Sequence, residues 1–133
     1  MKKLLSLVLA GFATMASYGQ CAFNNTFYID ATPPCPGTMT AGCVNPGEYV
    51  SVNVVAGNNY EFTTCGGTLF TDTELTLYDA FGFTVLDYND DDCGTQSTIT
   101  WVATFTGTVN LLLDEFPCSS SSSCVDIFGK QSS

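Results

Sequence analysis

The sequence has no histidine and no arginine, and only three lysines among 133 residues. Lys2 and Lys3 stand at the N-terminus; beyond them Lys130 alone opposes thirteen Asp and Glu residues. The missing imidazole removes the most common general base and metal ligand. The missing guanidinium removes bidentate recognition of anions. Nucleic acid and anionic membrane surfaces demand basic contacts, so neither is an expected partner. No cysteine has a basic neighbour in sequence that would lower its pKa and make it a nucleophile. A glycosidase needs two carboxylates flanking a cleft. Asp114-Glu115 and Asp90-Asp91 offer pairs, but a compact sandwich seldom offers the cleft. No enzymatic activity is expected. There is no CxxC pair, which with the lack of His argues against zinc. Beyond the first nineteen residues no apolar stripe has helical spacing, and no run is long enough for membrane insertion.

The first nineteen residues read as a processing signal. Lys2-Lys3 is followed by the apolar Leu4 to Ala16, then by the small-residue site Ser17-Tyr18-Gly19. This pattern predicts a signal peptide over 1–19 cleaved after Gly19. A lipid anchor on Cys21 is the rival, and the bulky Gln20 before it suits that poorly. Residues 20–133 then form a single domain of usual size. It would be secreted, extracellular or at the cell surface. Thirteen carboxylates against one lysine leave it a formal charge of −12. Such acidity keeps an exported protein soluble, and it also attracts divalent cations.

All seven cysteines follow the predicted cleavage site. Export makes disulfides their expected state. Cys65 and Cys93 bracket a hairpin-like stretch and are expected to pair, closing a loop worth roughly 3–4 kcal/mol in the chain-entropy model. Cys118 with Cys124 and Cys35 with Cys43 are near neighbours able to close short loops. That leaves Cys21 unpaired or intermolecular.

Residues 20–47 are the least regular, with Thr26 to Asp30 as a short edge strand. From Glu48 onward the period is two. Val50, Val52 and Val54 alternate with polar residues, as do Tyr60 and Phe62, Leu75 and Leu77, and Val109, Leu111 and Leu113. Ile99, Trp101, Ala103 and Phe105 make the longest apolar stripe, which places Trp101 in the core. Turn signals recur every eight to twelve residues. The pattern predicts seven or eight strands in two antiparallel sheets packed face to face.

Several stretches resemble a family. Gly47-Glu48-Tyr49 through Tyr60 to Gly66 resembles the opening of the bacterial pre-peptidase C-terminal domain. Phe70-Thr71-Asp72-Thr73 with Leu75 to Asp79 looks like its second motif. Tyr88 to Asp91 with Cys93-Gly94 looks like its third. Thr106 to Val109 with Leu111 to Leu113 is similar to its last long strand. The likeness spans about residues 43–128. It implies an all-β, antiparallel, jelly-roll-like β-sandwich without catalytic machinery, usually appended to secreted peptidases and adhesins. Some relatives bind calcium, and some bind collagen or other polymers. Here the module is expected to act by itself.

The acidic loop is the candidate site. Asp87, Asn89 and Asp91 have a D-x-N-x-D spacing that turns alternate oxygens toward a hard cation. This is not an EF-hand, because Asp92 stands where Gly makes the turn and Thr98 where Glu closes the shell. The family resemblance instead implies Asp72, Asp90 and Asp91, from neighbouring loops. The competing reading is that these carboxylates cap turns. Tyr49, Tyr78 and Tyr88 form a candidate ligand surface, or are ordinary sheet aromatics. Two functions follow. One is an extracellular structural, adhesive or self-assembling subunit. The other is a calcium-dependent binder of polysaccharide or matrix protein.

Overall fold

The computed structural model describes residues 20–67 and 71–133. The predicted signal peptide and Phe70 lie outside the described residues. Nine strands follow in chain order: β1 (Thr26–Asp30), β2 (Gly37–Val44), β3 (Glu48–Val54), β4 (Asn59–Thr63), β5 (Thr73–Asp79), β6 (Val85–Asn89), β7 (Thr98–Val102), β8 (Gly107–Glu115) and β9 (Val125–Ser132). They build two sheets, ordered β1-β3-β8-β5-β6 and β2-β9-β4-β7. Among the described residues no helix is long and apolar enough to cross a membrane.

The expectation of seven or eight strands missed β2, whose Thr38, Thr40 and Gly42 are small and polar and mute its alternation. The expectation of purely antiparallel sheets also fails at one edge, where β1 runs parallel to β3. The chain leaves β1, crosses to the other sheet as β2, and returns as β3. A strand regained after such an excursion can re-enter in the same direction.

Strand alternation sends Val50, Val52, Val54, Leu75, Leu77, Val109, Leu111 and Leu113 inward from the first sheet. They meet Tyr60, Phe62, Ile99 and Ile127 from the second. Trp101 is half-buried at the margin of this core, between Tyr60 and Phe105.

The first sheet is buried on its outer face as well. Glu74, Thr76, Tyr78, Asn110, Leu112 and Asp114 all point away from the core, yet all are buried. An antiparallel sheet usually leaves that face wet. Here residues 21–25 lie across it as a strap. The Cys21 N–H donates to Thr76 Oγ1 at 3.2 Å, and the Tyr78 hydroxyl donates to the Cys21 carbonyl at 2.7 Å. The Phe23 ring packs on Tyr49 and Tyr78. Gly82 (φ +74°) turns against that ring, where a Cβ would approach to 2.8 Å.

Disulfides join Cys21 to Cys118, Cys43 to Cys124 and Cys65 to Cys93, and Cys35 is free and exposed. Two of the expected pairs, Cys35–Cys43 and Cys118–Cys124, are therefore incorrect, and Cys21 is not the unpaired one. Proximity along the chain is the wrong guide in this topology. Pairing of β2 with β9, with Val44 opposite Val125, brings Cys43 beside Cys124. The strap carries Cys21 to Cys118 across 97 residues of sequence.

Candidate functional site

One end of the sandwich gathers the acidic residues. It is formed where β4 ends, where β3 and β5 begin, and by the β6–β7 and β8–β9 connections. A buried chain of hydroxyls ties these parts together. Thr64 Oγ1 lies 2.8 Å from Thr73 Oγ1, which lies 3.0 Å from Ser97 Oγ. The Ser97 hydroxyl also lies within donating distance of the carbonyls of Thr73 (2.6 Å) and Asp90 (2.9 Å). Because a buried hydroxyl must be bonded, this network holds the Asp90 loop over the start of β5. The Gln96 side-chain amide donates to the Thr71 carbonyl, and Cys65–Cys93 closes the same region covalently.

This framework brings Asp72, Asp90 and Asp91 into mutual range. The Asp72 carboxyl is pushed above its ordinary value by burial, then by the charges of Asp90 and Glu115. Asp91 is pushed up by desolvation, then by Asp90 and Asp72. Like charges disfavour ionisation in each case. The other two candidates are placed differently. Asp87 and Asn89 pair with Leu77 and Leu75 along β6, which puts them on the inter-sheet side of that edge. Asn89 Oδ1 accepts the Thr98 N–H at 2.9 Å and caps the start of β7, while Asp87 Oδ1 accepts the Tyr88 N–H at 2.8 Å. The D-x-N-x-D spacing therefore does not assemble into one shell, because a strand sends Asp87 and Asn89 to one face and the tip carries Asp91 beyond it.

The tyrosines are not an open ligand surface. Tyr78 is buried under the strap. The half-buried Tyr88 donates its hydroxyl to Glu74 Oε2 at 2.8 Å, and burial together with that carboxylate raises its pKa. Tyr49 is wedged between Phe23 and Phe27. Nothing in a period-two pattern signals that a sheet's outer face will be covered. The run Leu111-Leu112-Leu113 is the one hint, since it is apolar toward both faces.

Glu74 and Asp114 are the residues that sequence reasoning missed. They face each other across β5 and β8 on the covered side. Glu74 is fully buried; its Oε1 accepts the Cys118 N–H at 2.7 Å and its Oε2 the Tyr88 hydroxyl. Asp114 is 3% exposed and opens onto a cleft of about 400 Å³ lined also by Asn24, Asn25, Asn45, Glu48 and Ser120. Burial pushes its carboxyl up to about 6; a hydrogen bond from Asn25 pulls it down and the Glu74 charge pushes it further up. Cys21, Glu74 and Cys118 are mutually close, but both sulfurs are spent in a disulfide and offer no thiolate.

Two sheets, a strapped outer face and three disulfides define a disulfide-stapled β-sandwich. The chain belongs to the family described as Domain of unknown function (DUF8695), which matches residues 39–128. Among solved structures it is similar to the pre-peptidase C-terminal domain of collagenase from Bacillus anthracis. That likeness has a TM-score of 0.53 at 10% identity and covers 81% of this chain and 98% of that one. It is also similar to PliG of Aeromonas hydrophila, a periplasmic inhibitor of g-type lysozyme. There the TM-score is 0.52 at 9% identity, covering 77% of this chain and 98% of that one. At such identities the likeness is one of fold. No curated protein matches the chain.

Proposed function

We propose that the chain is an exported, non-catalytic structural or adhesive module that assembles with copies of itself through the edge at β1. Three disulfides fit an oxidising compartment. The lack of His and Arg and the character of the two structural neighbours support a role without catalysis. The observation that carries the assembly reading is β1 itself. Among the described residues it pairs only with β3. All five of its residues are exposed, with Phe27 at 53% and Ile29 at 42%. An unprotected, apolar edge strand is a template for a second chain. The exposed thiol of Cys35 follows in the same connection and is available to lock a pair covalently.

Size measurement across concentration, with non-reducing electrophoresis, tests this. The wild type is expected to form concentration-dependent oligomers and a disulfide-linked dimer. Cys35→Ser should remove the covalent species alone. Phe27→Glu with Ile29→Lys should weaken the non-covalent association by at least tenfold, about 1.4 kcal/mol. A monomer at every concentration, with or without reductant, rules the reading out.

A calcium-dependent reading is favoured by a separate observation. Asp72 and Asp91 are both pushed up by burial and by the charge of Asp90, with no basic partner among the described residues. Hard oxygen donors from neighbouring loops are what calcium accepts, so these residues fit it in chemistry. A bound ion would relieve the repulsion and could link the module to an extracellular polysaccharide or matrix protein. At extracellular-type affinities, 10 mM calcium should stabilise the fold by roughly 1.5–3 kcal/mol, several degrees in Tm. The gain should vanish in the Asp90→Ala, Asp91→Ala double variant. An unchanged Tm at that concentration removes calcium from the account.

A further inference from the structure

We propose that the cleft beside Asp114 takes a primary ammonium group, presented as a lysine side chain by a partner protein. The cleft opens between the strap, the β2–β3 turn and the β8–β9 loop. It is a different place from the Asp72, Asp90, Asp91 tip, and the proposal does not depend on self-assembly.

Asn25 lines the cleft from the strap. Its Nδ2 shares two hydrogens among three acceptors: the Leu113 carbonyl at 3.0 Å, the Glu48 carbonyl at 3.1 Å and Asp114 Oδ2 at 3.3 Å. The two carbonyls fix the amide's orientation, because turning it over would set oxygen against oxygen. The Asn25 Oδ1 atom is then buried with no hydrogen-bond partner. A shielded acceptor left unmet costs about 1–3 kcal/mol. Beside it Asp114, almost wholly buried, receives only the longest of the three contacts. Glu48 Oε1 accepts the Asn45 N–H at 2.7 Å, which leaves its second oxygen for a ligand. The cleft thus presents an underserved carboxylate and a spare carboxylate oxygen. An unmet amide oxygen lies just beneath its wall, where an incoming donor can reach it by a small turn of the strap. All three accept hydrogen bonds, and none donates.

An alkylammonium supplies three N–H donors and one positive charge. Its methylene stem suits the Pro46, Gly47 and Cys118 wall. Gly47 (φ +101°) keeps that wall open, since a Cβ there would meet the Ser120 Cβ at 2.6 Å. A hard divalent ion fits less well. It calls for six to eight oxygen ligands, and the cleft has far more room than one ion fills. Lys130 is the chain's own lysine among the described residues, and it lies on β9 opposite Glu61. The lysine is therefore expected from a different protein.

The test is a titration followed by amide and side-chain NMR. The probes are n-butylammonium chloride and Nα-acetyl-lysine amide, with tetramethylammonium chloride and calcium chloride as controls at equal ionic strength. Both primary amines should give saturable shifts at the Asn25 side-chain amide and at Glu48 and Asp114. Tetramethylammonium, which carries charge but no N–H, should not. Asp114→Asn should weaken amine binding by at least tenfold. Should that variant fail to fold, Ser120→Arg on the exposed rim should block the cleft with the fold intact. The proposal is overturned if no probe saturates, if tetramethylammonium acts equally, if neither variant weakens amine binding, or if calcium gives the same shifts and displaces the amine.

Discussion

Replacing Cys21 and Cys118 together by serine should lower Tm by roughly 15–25 °C, the largest effect expected of any disulfide change here. The simple loop between these residues is long, but Cys43–Cys124 overlaps it, tying a point inside the loop to one just beyond Cys118. With that bond closed, the extra ring runs from Cys21 to Cys43 and from Cys124 back to Cys118, about 30 residues. A ring of that size is worth roughly 3–4 kcal/mol of denatured-state entropy. The native state loses something as well. A loosened strap uncovers Glu74, Thr76, Tyr78 and Asp114, and frees the Cys118 N–H from Glu74. Removing the Cys65–Cys93 bond opens a ring of comparable size but uncovers no second layer, so its effect should be smaller. Scanning calorimetry of both variants, with Cys35→Ser as the silent control, checks the order. A loss below about 5 °C for the Cys21, Cys118 pair would mean the strap contributes little to stability.

The second large effect is a stability that rises as the solution is acidified from pH 7 toward pH 4. Burial pushes the Asp114 carboxyl up to about 6 in the folded state, against 3.8 for an unperturbed Asp. The native state therefore binds the proton more tightly than the unfolded state. Its contribution is fully present below the unfolded value and is lost as pH rises through 6. A shift of about two units corresponds to roughly 3 kcal/mol. The groups facing Asp114 reinforce the direction. Glu74 opposes it from β5 and Glu48 shares its cleft from β3, while the strap offers only the neutral Asn25. Asp72 and Asp91 shift the same way. Asp79 opposes them. Burial nudges its carboxyl up, but N–H groups of the β5–β6 turn, those of Phe83 and Thr84 among them, hold it below its ordinary value. Chemical denaturation at pH 7 and pH 5, in amine-free buffer, should show the wild type gaining stability on acidification. Asp114→Asn should be more stable than wild type at pH 7 and much flatter with pH. Parallel curves for the two proteins would sink the assignment.

Much of the sandwich is legible along the chain, because a half-buried strand must alternate. Val50, Val52 and Val54 or Leu75 and Leu77 can satisfy a core in only one register. The edge pieces are less legible. β1 and β2 carry small or exposed residues, and a strand held mainly by backbone hydrogen bonds leaves a faint side-chain pattern. The acidic tip is half legible. Asp72, Asp90 and Asp91 stand out as unpaired charge, whereas the capping duties of Asp87 and Asn89 depend on where β6 ends.

By itself the sequence determined the β class, the inward-facing residues and the excess of carboxylate. Those are matters of local period and of composition, to which each residue contributes without knowing its partners. Only the tertiary structure decided which cysteine stayed free, which face of the first sheet was roofed over, and that Asn25, from before β1, came to sit over Asp114 near the end of β8. Such pairings join residues distant in the chain, and they exist only once the strands have been placed beside one another.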